Sequence, residues 1–575
     1  MVMAAAGSLI FSEAANVGNG RWIASGAASK ASAGKTLSPA AQQPQELSPE
    51  GAEELARRLN ALKLGQVDRP ILAQFATEAQ EFYASLGNSP AWTKLGKPTP
   101  QALQVIQALQ FADEKGLNPE DYDGSLWSGR LDALQASNRP AEPELIAFDL
   151  ALTLATMRFV SDLHVGRVNP EAVRFSLDLH DKTLDLSEFL HDHVVNAPDS
   201  RAAMESVEPQ FLTYRRTLDA LHTYLRLARE DHGEPLPVPS HAVHAGQSYG
   251  GAHSLGLLLE RLGDLNSAQG EVQDHYNGNL VEAVKHFQGR HGLEPDGILD
   301  ARTFAELNTP LRKRVEQLEL TLERWRWLPA SYSYPPIVVN IPEFRLYIVN
   351  QDHRIVSSMN VVVGRAYHHE TPVFEGEIQS VIFRPSWTVP LEIVRREILP
   401  QVEKDPQYLR ENSYEVVDQD GTAEGDETPT EAMKEDLRAS RLFLRQRPGP
   451  ENSLGLIKFE FPNPFDVYLH DTPAHELFSK SRRDFSHGCV RVENPMALAE
   501  WVLRDNPEWT AERIRSAMAG TETVRVVLVH PTPVWILYAT AVVLEDGQVR
   551  FFDDVYGHDA TLERALAERG KNGLP

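Results

Sequence analysis

Cys489 is the single cysteine in 575 residues. It stands in "RRDFSHGCVRVENP" at 482–495, with Ser486, His487 and Gly488 before it and Arg491 two places after. A thiol so placed has three roles open to it: nucleophile, metal ligand, or small buried side chain. Nucleophilic work needs a base within hydrogen-bond reach, a group that orients the base, and donors for the oxyanion. His470 closes the strand-like run "FDVYLH" 19 residues upstream, far enough for the chain to turn back and set the imidazole beside the sulfur. A backbone carbonyl at Asp471 is the expected orienter. Amides around Gly488 and Cys489 are the expected donors, since glycine lets the backbone turn tightly there. His487 and Arg491 add positive potential, which favours the reactive thiolate. For a metal, His470, Asp471, His487 and Cys489 supply ligand types, yet neither an i, i+4 pair nor a CxxC is present, so no metal is expected. Spacing alone leaves the catalytic and the structural reading of the thiol open.

The elements that must position these residues follow from periodicity. From 336, "PIVVNIPEFRLYIVN", "RIVSSMNVVVG" and "IQSVIFRPSWTVP" run apolar or alternate over strand lengths, and strands return in "GLIKFEFPNPFDVYLHDTP" and "TVRVVLVH". The spacing predicts a mainly β domain over 335–531, interrupted at about 395–450 by a polar, acidic insertion that reads as a lid or a plain loop. After 532, "VWILYATAVVLEDGQVRFFDDVYGHD" predicts a hairpin around Asp546 and Gly547, packing on the helical part.

Upstream, apolar residues recur at three- and four-residue spacing from "SPEGAEELARRLNAL" to "FLTYRRTLDALHTYLRLARE", which predicts a helical domain over 47–252, completed by 310–334. Residues 1–46, rich in Ala, Gly and Ser, read as a disordered leader, with no basic residue before Arg21 to make a secretory signal. The Pro-, Gly- and His-rich stretch 231–253 reads as a linker whose histidines belong to a solvated loop. A small helical unit over 253–309 follows, with Val281, Val284 and Phe287 on one helix face, Gly292 as the stop and "PDG" as a turn.

Bulk composition excludes some functions. Net charge of -25 argues against nucleic-acid binding, which needs an excess of Lys and Arg. Apolar content of 42% with 24% charged residues is that of folded protein, and no apolar run reaches the length of a membrane span. A single cysteine suits an exported chain with no second thiol to mispair.

Two segments resemble known families. Val284, Phe287, Gln288, Gly292, Leu293, Asp296, Gly297 and Thr303 match the pattern of the PGBD-type peptidoglycan-binding domain. His470, fifteen intervening residues and then "SHGCVRV" resemble the signature of the YkuD-type L,D-transpeptidases; "VNIPEFRLYI", "VGRAYHHETP" and "PSWTVP" are similar to that family's early strands. The whole layout is similar to the large YcbB/LdtD class. This resemblance implies a multidomain α+β chain: a mainly β, YkuD-like sandwich, a helical scaffold, and a small three-helix peptidoglycan-binding domain.

It also implies a periplasmic or cell-envelope enzyme, exported, that needs no cofactor and takes peptidoglycan tetrapeptide stems as donor and acceptor. Cys489 would attack the carbonyl at the L-centre of diaminopimelate, D-Ala would leave, and a second diaminopimelate amine would complete a 3→3 cross-link. His470 rather than His487 would be the base. Arg491 would organise the loop or meet a stem carboxylate, Ser486 and Gly488 would support it, and Tyr468 and Trp387 would line the substrate groove. Two other readings stand beside this one: a wall-binding scaffold whose YkuD-like module is not catalytic, and a hydrolase or exchange enzyme using the same acyl-thioester.

Overall fold

The computed structural model describes residues 46–571, except 67–69, 137–138, 181, 232–233, 267–274, 330–331, 333, 353 and 426–428. The disordered leader expected over 1–46 therefore lies outside the described residues, but for Glu46. Ser48 opens the first helix, Pro49–Lys63: its hydroxyl accepts from Gly51 N at 3.0 Å and its own N–H donates to Glu142 Oε1 at 2.9 Å. Glu142 in turn begins the 24-residue helix Glu142–Val165, which is apolar on nearly every side and runs through the middle of the N-terminal core. Phe82, Tyr83, Trp92, Tyr122 and Trp127 are buried in the same core. Among the described residues, no helix is long and apolar enough to cross a membrane.

The later scaffold helices Leu212–Arg229 and Leu311–Trp325 belong to a second core. There Leu221, Leu318 and Trp327 share one apolar cluster with Ile337, Val361, Val490 and Ile536 of the β-sheet. The helical region expected as one unit over 47–252 with 310–334 is thus divided between a core of its own and a core shared with the β-sheet.

The small helical unit packs Ala252–Leu262, Gly278–Arg290 and Ala301–Leu307 around Leu255, Val284, Phe287 and Phe304. Its motif residues turn out to fasten one another. The buried Gln288 amide donates to Asp296 Oδ1 (3.0 Å) and Thr303 Oγ1 (3.1 Å) and accepts from Gly297 N (2.8 Å). Gly297 has φ +72° and no room for a Cβ beside Val281, which is why glycine stands in that turn.

The β domain is a strongly bent sheet. Starting from Ile355–Gly364, the pairing runs through Val490–Val492, Leu469–His470, Ile457–Glu460, Phe374–Phe383, Val524–Leu537, Ile337–Asn340 and Arg345–Val349, and Arg345–Val349 pairs back onto Ile355–Gly364. Long strands make this closure possible, because each changes partner along its length: Ile355–Gly364 meets Arg345–Val349 with its first half and Val490–Val492 with its second. The architecture is the multidomain α+β one expected.

Two boundaries differ from the sequence reading. The strand Val524–Leu537 runs through 531/532, where the β domain was expected to end. It passes Pro531 inside an irregularity in register between Val527 and Thr532, a kind of place where a strand tolerates proline, while Pro533 stands in register opposite Glu377. Its last residues, Val534–Leu537, pair in parallel with Ile337–Asn340. The C-terminal hairpin is therefore shorter, Ala541–Val543 with Val549–Phe551, and is followed by a helix, His558–Lys571. Phe551 packs edge-on to the scaffold's Tyr224 at 5.2 Å between ring centroids.

The insertion is a folded layer. Trp387–Thr388, Phe443–Gln446, Tyr414–Val417 and Ala423–Gly425 form a four-stranded sheet over a private core containing Ile393, Val394, Ile398, Leu409 and Leu444. Its acidic residues are partly neutralised from within: Glu415 meets Arg445 at 2.6 Å and Arg447 at 2.9 Å.

Candidate active site

The interval between His470 and Cys489 has a topological cause. Leu469–His470 and Val490–Val492 are parallel neighbours, with Leu469 opposite Val490 and His470 opposite Arg491. Parallel strands cannot be joined by a tight turn; the chain must cross over and re-enter from the same end, which takes a dozen residues or more. Here the crossover carries the short strand Asp484–Ser486, which lies along the end of Ile355–Gly364. The other edge of the histidine strand is covered by Ile457–Glu460, with Lys458 opposite His470.

His470 is 4% exposed. Its Nδ1–H donates to the carbonyl of Asp471 at 2.5 Å, which assigns the proton to Nδ1 and leaves the Nε2 lone pair free. Burial, then the nearby charges of Arg491 and Lys458, hold its imidazole down at about 3, so the ring is neutral at physiological pH. The Asp471 carboxylate is buried too, accepts from Leu456 N at 2.8 Å, and is pushed up by that burial. Gly455 sits against it at φ +61°, where an added Cβ would lie 2.4 Å from Oδ2.

Cys489 is partly buried, directly before its strand. Its thiol donates to the carbonyl of Asp466 at 3.7 Å, and the Tyr468 hydroxyl and backbone face the sulfur as well. Burial pushes the thiol up, and the opposing influence of Tyr468, Lys458 and Arg491 does not reverse it. Positive neighbours were expected to favour the thiolate; desolvation outweighs them in the resting site.

The loop before the sulfur is tied by Ser486. Its hydroxyl accepts from Gly488 N at 3.1 Å and donates to Cys489 O at 2.5 Å. Gly488 has φ +116°, a conformation that favours glycine. The Gly488 amide, expected among the oxyanion donors, is thereby committed to Ser486. The amides of His487 and Cys489 have no hydrogen-bond partner among the described residues.

His487 points the other way from His470. Its Nε2 lies 2.6 Å from Glu397 Oε1, and its ring centroid is 4.7 Å from that of His369. Glu397 belongs to a π-helical turn, Val394–Ile398, of the insertion, a feature common at functional sites. Arg491 lies within electrostatic reach of Cys489, and its Nε is buried with no hydrogen-bond partner among the described residues. Tyr468 stands edge-on to His470 at 5.6 Å between centroids, carries Lys458 Nζ over its ring at 4.2 Å, and has Trp387 beside its hydroxyl. The structure thus gathers Cys489, His470, Asp471, Tyr468, Trp387 and Arg491 and turns His487 towards the insertion.

Lys458, Asp466 and Glu397 were not anticipated. Lys458 had a signal, a lone cation inside the apolar run "GLIKFEF". Asp466 acts through its carbonyl, which no side-chain pattern reveals, and Glu397 is one acid among many in the insertion.

Three family models match the chain: a scaffold domain over residues 77–221, a "Putative peptidoglycan binding domain" over 254–307, and an L,D-transpeptidase catalytic domain over 335–536. A Haemophilus influenzae protein described as "Putative L,D-transpeptidase" is 28% identical over 290 residues, which are 50% of this chain and 57% of that protein. The match thus spans little more than half of the relative's length. The crystal structure of an L,D-transpeptidase from Xylanimonas cellulosilytica is 18% identical, and the match covers 53% of this chain and 100% of that one at a TM-score of 0.17.

Proposed function

Taking residues 335–536 as an L,D-transpeptidase catalytic domain, we propose that the protein forms 3→3 cross-links between peptidoglycan tetrapeptide stems through a thioester on Cys489. The observation that carries this reading is the neutral His470, its Nδ1–H pinned by the Asp471 carbonyl, on the strand paired in parallel with the one that Cys489 leads into. A base so held presents a lone pair and has no charge to lose before it accepts a proton.

In the first half-reaction the thiol turns from Asp466, gives its proton to His470 Nε2, and sulfur attacks the carbonyl at the L-centre of diaminopimelate. The oxyanion of the tetrahedral intermediate meets the unpaired Cys489 amide. Collapse breaks the bond to D-Ala, whose amine takes the proton from His470. In the second half-reaction the side-chain amine of another diaminopimelate attacks the thioester, His470 receives its proton, and the thiol leaves with one restored. Arg491 meets a stem carboxylate in this reading, which its buried and unpaired Nε supports, and Tyr468 and Trp387 wall the approach. The residues used are all the chain's own. The substrate sets the location, the cell envelope outside the cytoplasm, and the small helical domain fits the same polymer.

Intact-mass measurement after incubation with a carbapenem tests the thioester chemistry: one stable adduct is expected, absent from Cys489→Ala. Incubation with disaccharide tetrapeptides then tests the reaction itself, with 3→3 dimers expected from the wild type alone. Dimers formed equally by Cys489→Ala would sink the mechanism.

A further inference from the structure

Thr371 is wholly buried, lies 117 residues before Gly488 in sequence, and donates its hydroxyl hydrogen to the Gly488 carbonyl at 2.7 Å. We propose that Thr371, braced by Tyr556, is a positioning residue that fixes the plane of the Gly488–Cys489 peptide and so aims the Cys489 amide at the oxyanion. The inference rests on the transpeptidase reading above.

The argument starts from the peptide unit. In a trans peptide the carbonyl of one residue and the N–H of the next point in opposite directions, so holding Gly488 O on one side fixes Cys489 N–H on the other. Several polar backbone groups around the nucleophile are already occupied. Ser486 O accepts from Arg365 N at 2.9 Å, Gly488 N and Cys489 O both meet the Ser486 hydroxyl, and Val490 N donates to Tyr468 O at 3.1 Å. Among the described residues these bonds leave the amides of His487 and Cys489 open, and that of Cys489 belongs to the nucleophile itself. Gly488 has no Cβ to resist rotation, so an outside group must hold its carbonyl. In this structure that group is Thr371.

Thr371 is itself held from two directions. Its Oγ1 accepts from Gly364 N at 2.8 Å, and its backbone N–H donates to the Tyr556 hydroxyl at 3.3 Å. That hydroxyl donates onward to Gly364 O at 2.5 Å, so Gly364, Thr371 and Tyr556 close a ring of hydrogen bonds under the nucleophile loop. Gly364 has no alternative residue type here, because an added Cβ would lie 1.9 Å from His369 O. Tyr556 comes from the C-terminal segment, where its own N–H donates to the Tyr538 hydroxyl at 3.0 Å and Tyr538 donates to Asp554 at 2.6 Å. The far end of the chain therefore reaches the site through two buried hydroxyls.

The test uses the full chain with Thr371→Val, Thr371→Ser and Tyr556→Phe. Two rates are compared for each: acylation by a carbapenem, which builds an oxyanion, and alkylation by iodoacetamide, which builds none. Acylation of Thr371→Val is expected to fall about 100-fold with alkylation held within about twofold, the loss expected when one oxyanion donor is misdirected. Thr371→Ser, which keeps the hydroxyl, is expected to recover most of the acylation rate. Should Thr371→Val fail to fold, Tyr556→Phe carries the comparison, with acylation expected to fall about tenfold and alkylation unchanged. Acylation at the wild-type rate in the variant that folds overturns the inference, as does a parallel fall in both rates, which would mark general damage. Absence of any adduct in the wild type fells the transpeptidase reading and this inference with it. A wild-type adduct with an unimpaired Thr371→Val fells this inference alone.

Discussion

Glu397 Oε1 lies 2.6 Å from His487 Nε2, so the insertion is fastened to the residue two places before the nucleophile. The Glu397 side chain is half exposed, and exposed polar contacts of this kind are weak. Glu397→Gln should therefore loosen the insertion without unfolding it. Hydrogen exchange over Leu391–Ile393, Val394–Ile398 and Leu399–Lys404 is expected to speed up by at most about fivefold, with the core strands unchanged. Exchange that does not change at all would mean the contact holds nothing.

Burial raises the Cys489 thiol while His470 stays neutral, which makes the resting pair thiol and imidazole rather than thiolate and imidazolium. Alkylation of the free enzyme should keep accelerating as pH rises towards and beyond the ordinary thiol value of 9.0, with no plateau at neutral pH. His470→Gln should leave that profile nearly unmoved while carbapenem acylation at neutral pH falls by about 100-fold or more. A reactive plateau at low pH that vanishes in His470→Gln would show an ion pair instead.

The sequence made His470 and Cys489 visible because their spacing obeys a local necessity, the length of a parallel crossover. It hid Glu397 and Thr371, whose contacts span 90 and 117 residues and leave no periodic trace. The sign of the thiol's shift was misread for a related reason: positive neighbours can be counted in "SHGCVRV", but the desolvation that overrides them belongs to the packed site. The β domain was expected to end at 531, inside what is a continuous strand, because a register irregularity cannot be seen in one chain segment alone. The insertion's core was masked by acidic composition, although Ile393, Val394 and Ile398 already carry its buried face.

His470 also bears on acid stability. Its folded value of about 3 lies below the ordinary 6.5, so the unfolded chain binds a proton that the folded chain refuses between those two values. The stability this confers is complete above pH 6.5 and is lost as pH falls towards 3. His558, lowered by burial to about 4, adds a second contribution over part of the same window. His470→Gln should flatten the dependence of unfolding free energy on pH in that range by at most about 1.4 kcal/mol per pH unit. Denaturant titrations at a series of pH values measure this, and an unchanged slope would mean that His470 titrates alike in both states.

Gly455 links backbone conformation to the orientation of the base. It occupies φ +61° with the Asp471 carboxylate packed where a side chain would begin, 2.4 Å from the position of a Cβ. Gly455→Ala must therefore strain its own backbone and displace Asp471, whose carbonyl holds His470 Nδ1. A stability loss of about 1–3 kcal/mol is expected, part of it from the left-handed backbone alone. Carbapenem acylation should fall more than iodoacetamide alkylation, because the base is tilted while the sulfur is untouched. The steric part can be separated from the backbone part by adding Asp471→Ala, which clears the space. If the carboxylate is what the new methyl strikes, the double variant will be more stable than the sum of the two single losses requires. Strict additivity would place the damage elsewhere and break the proposed link between Gly455 and the imidazole.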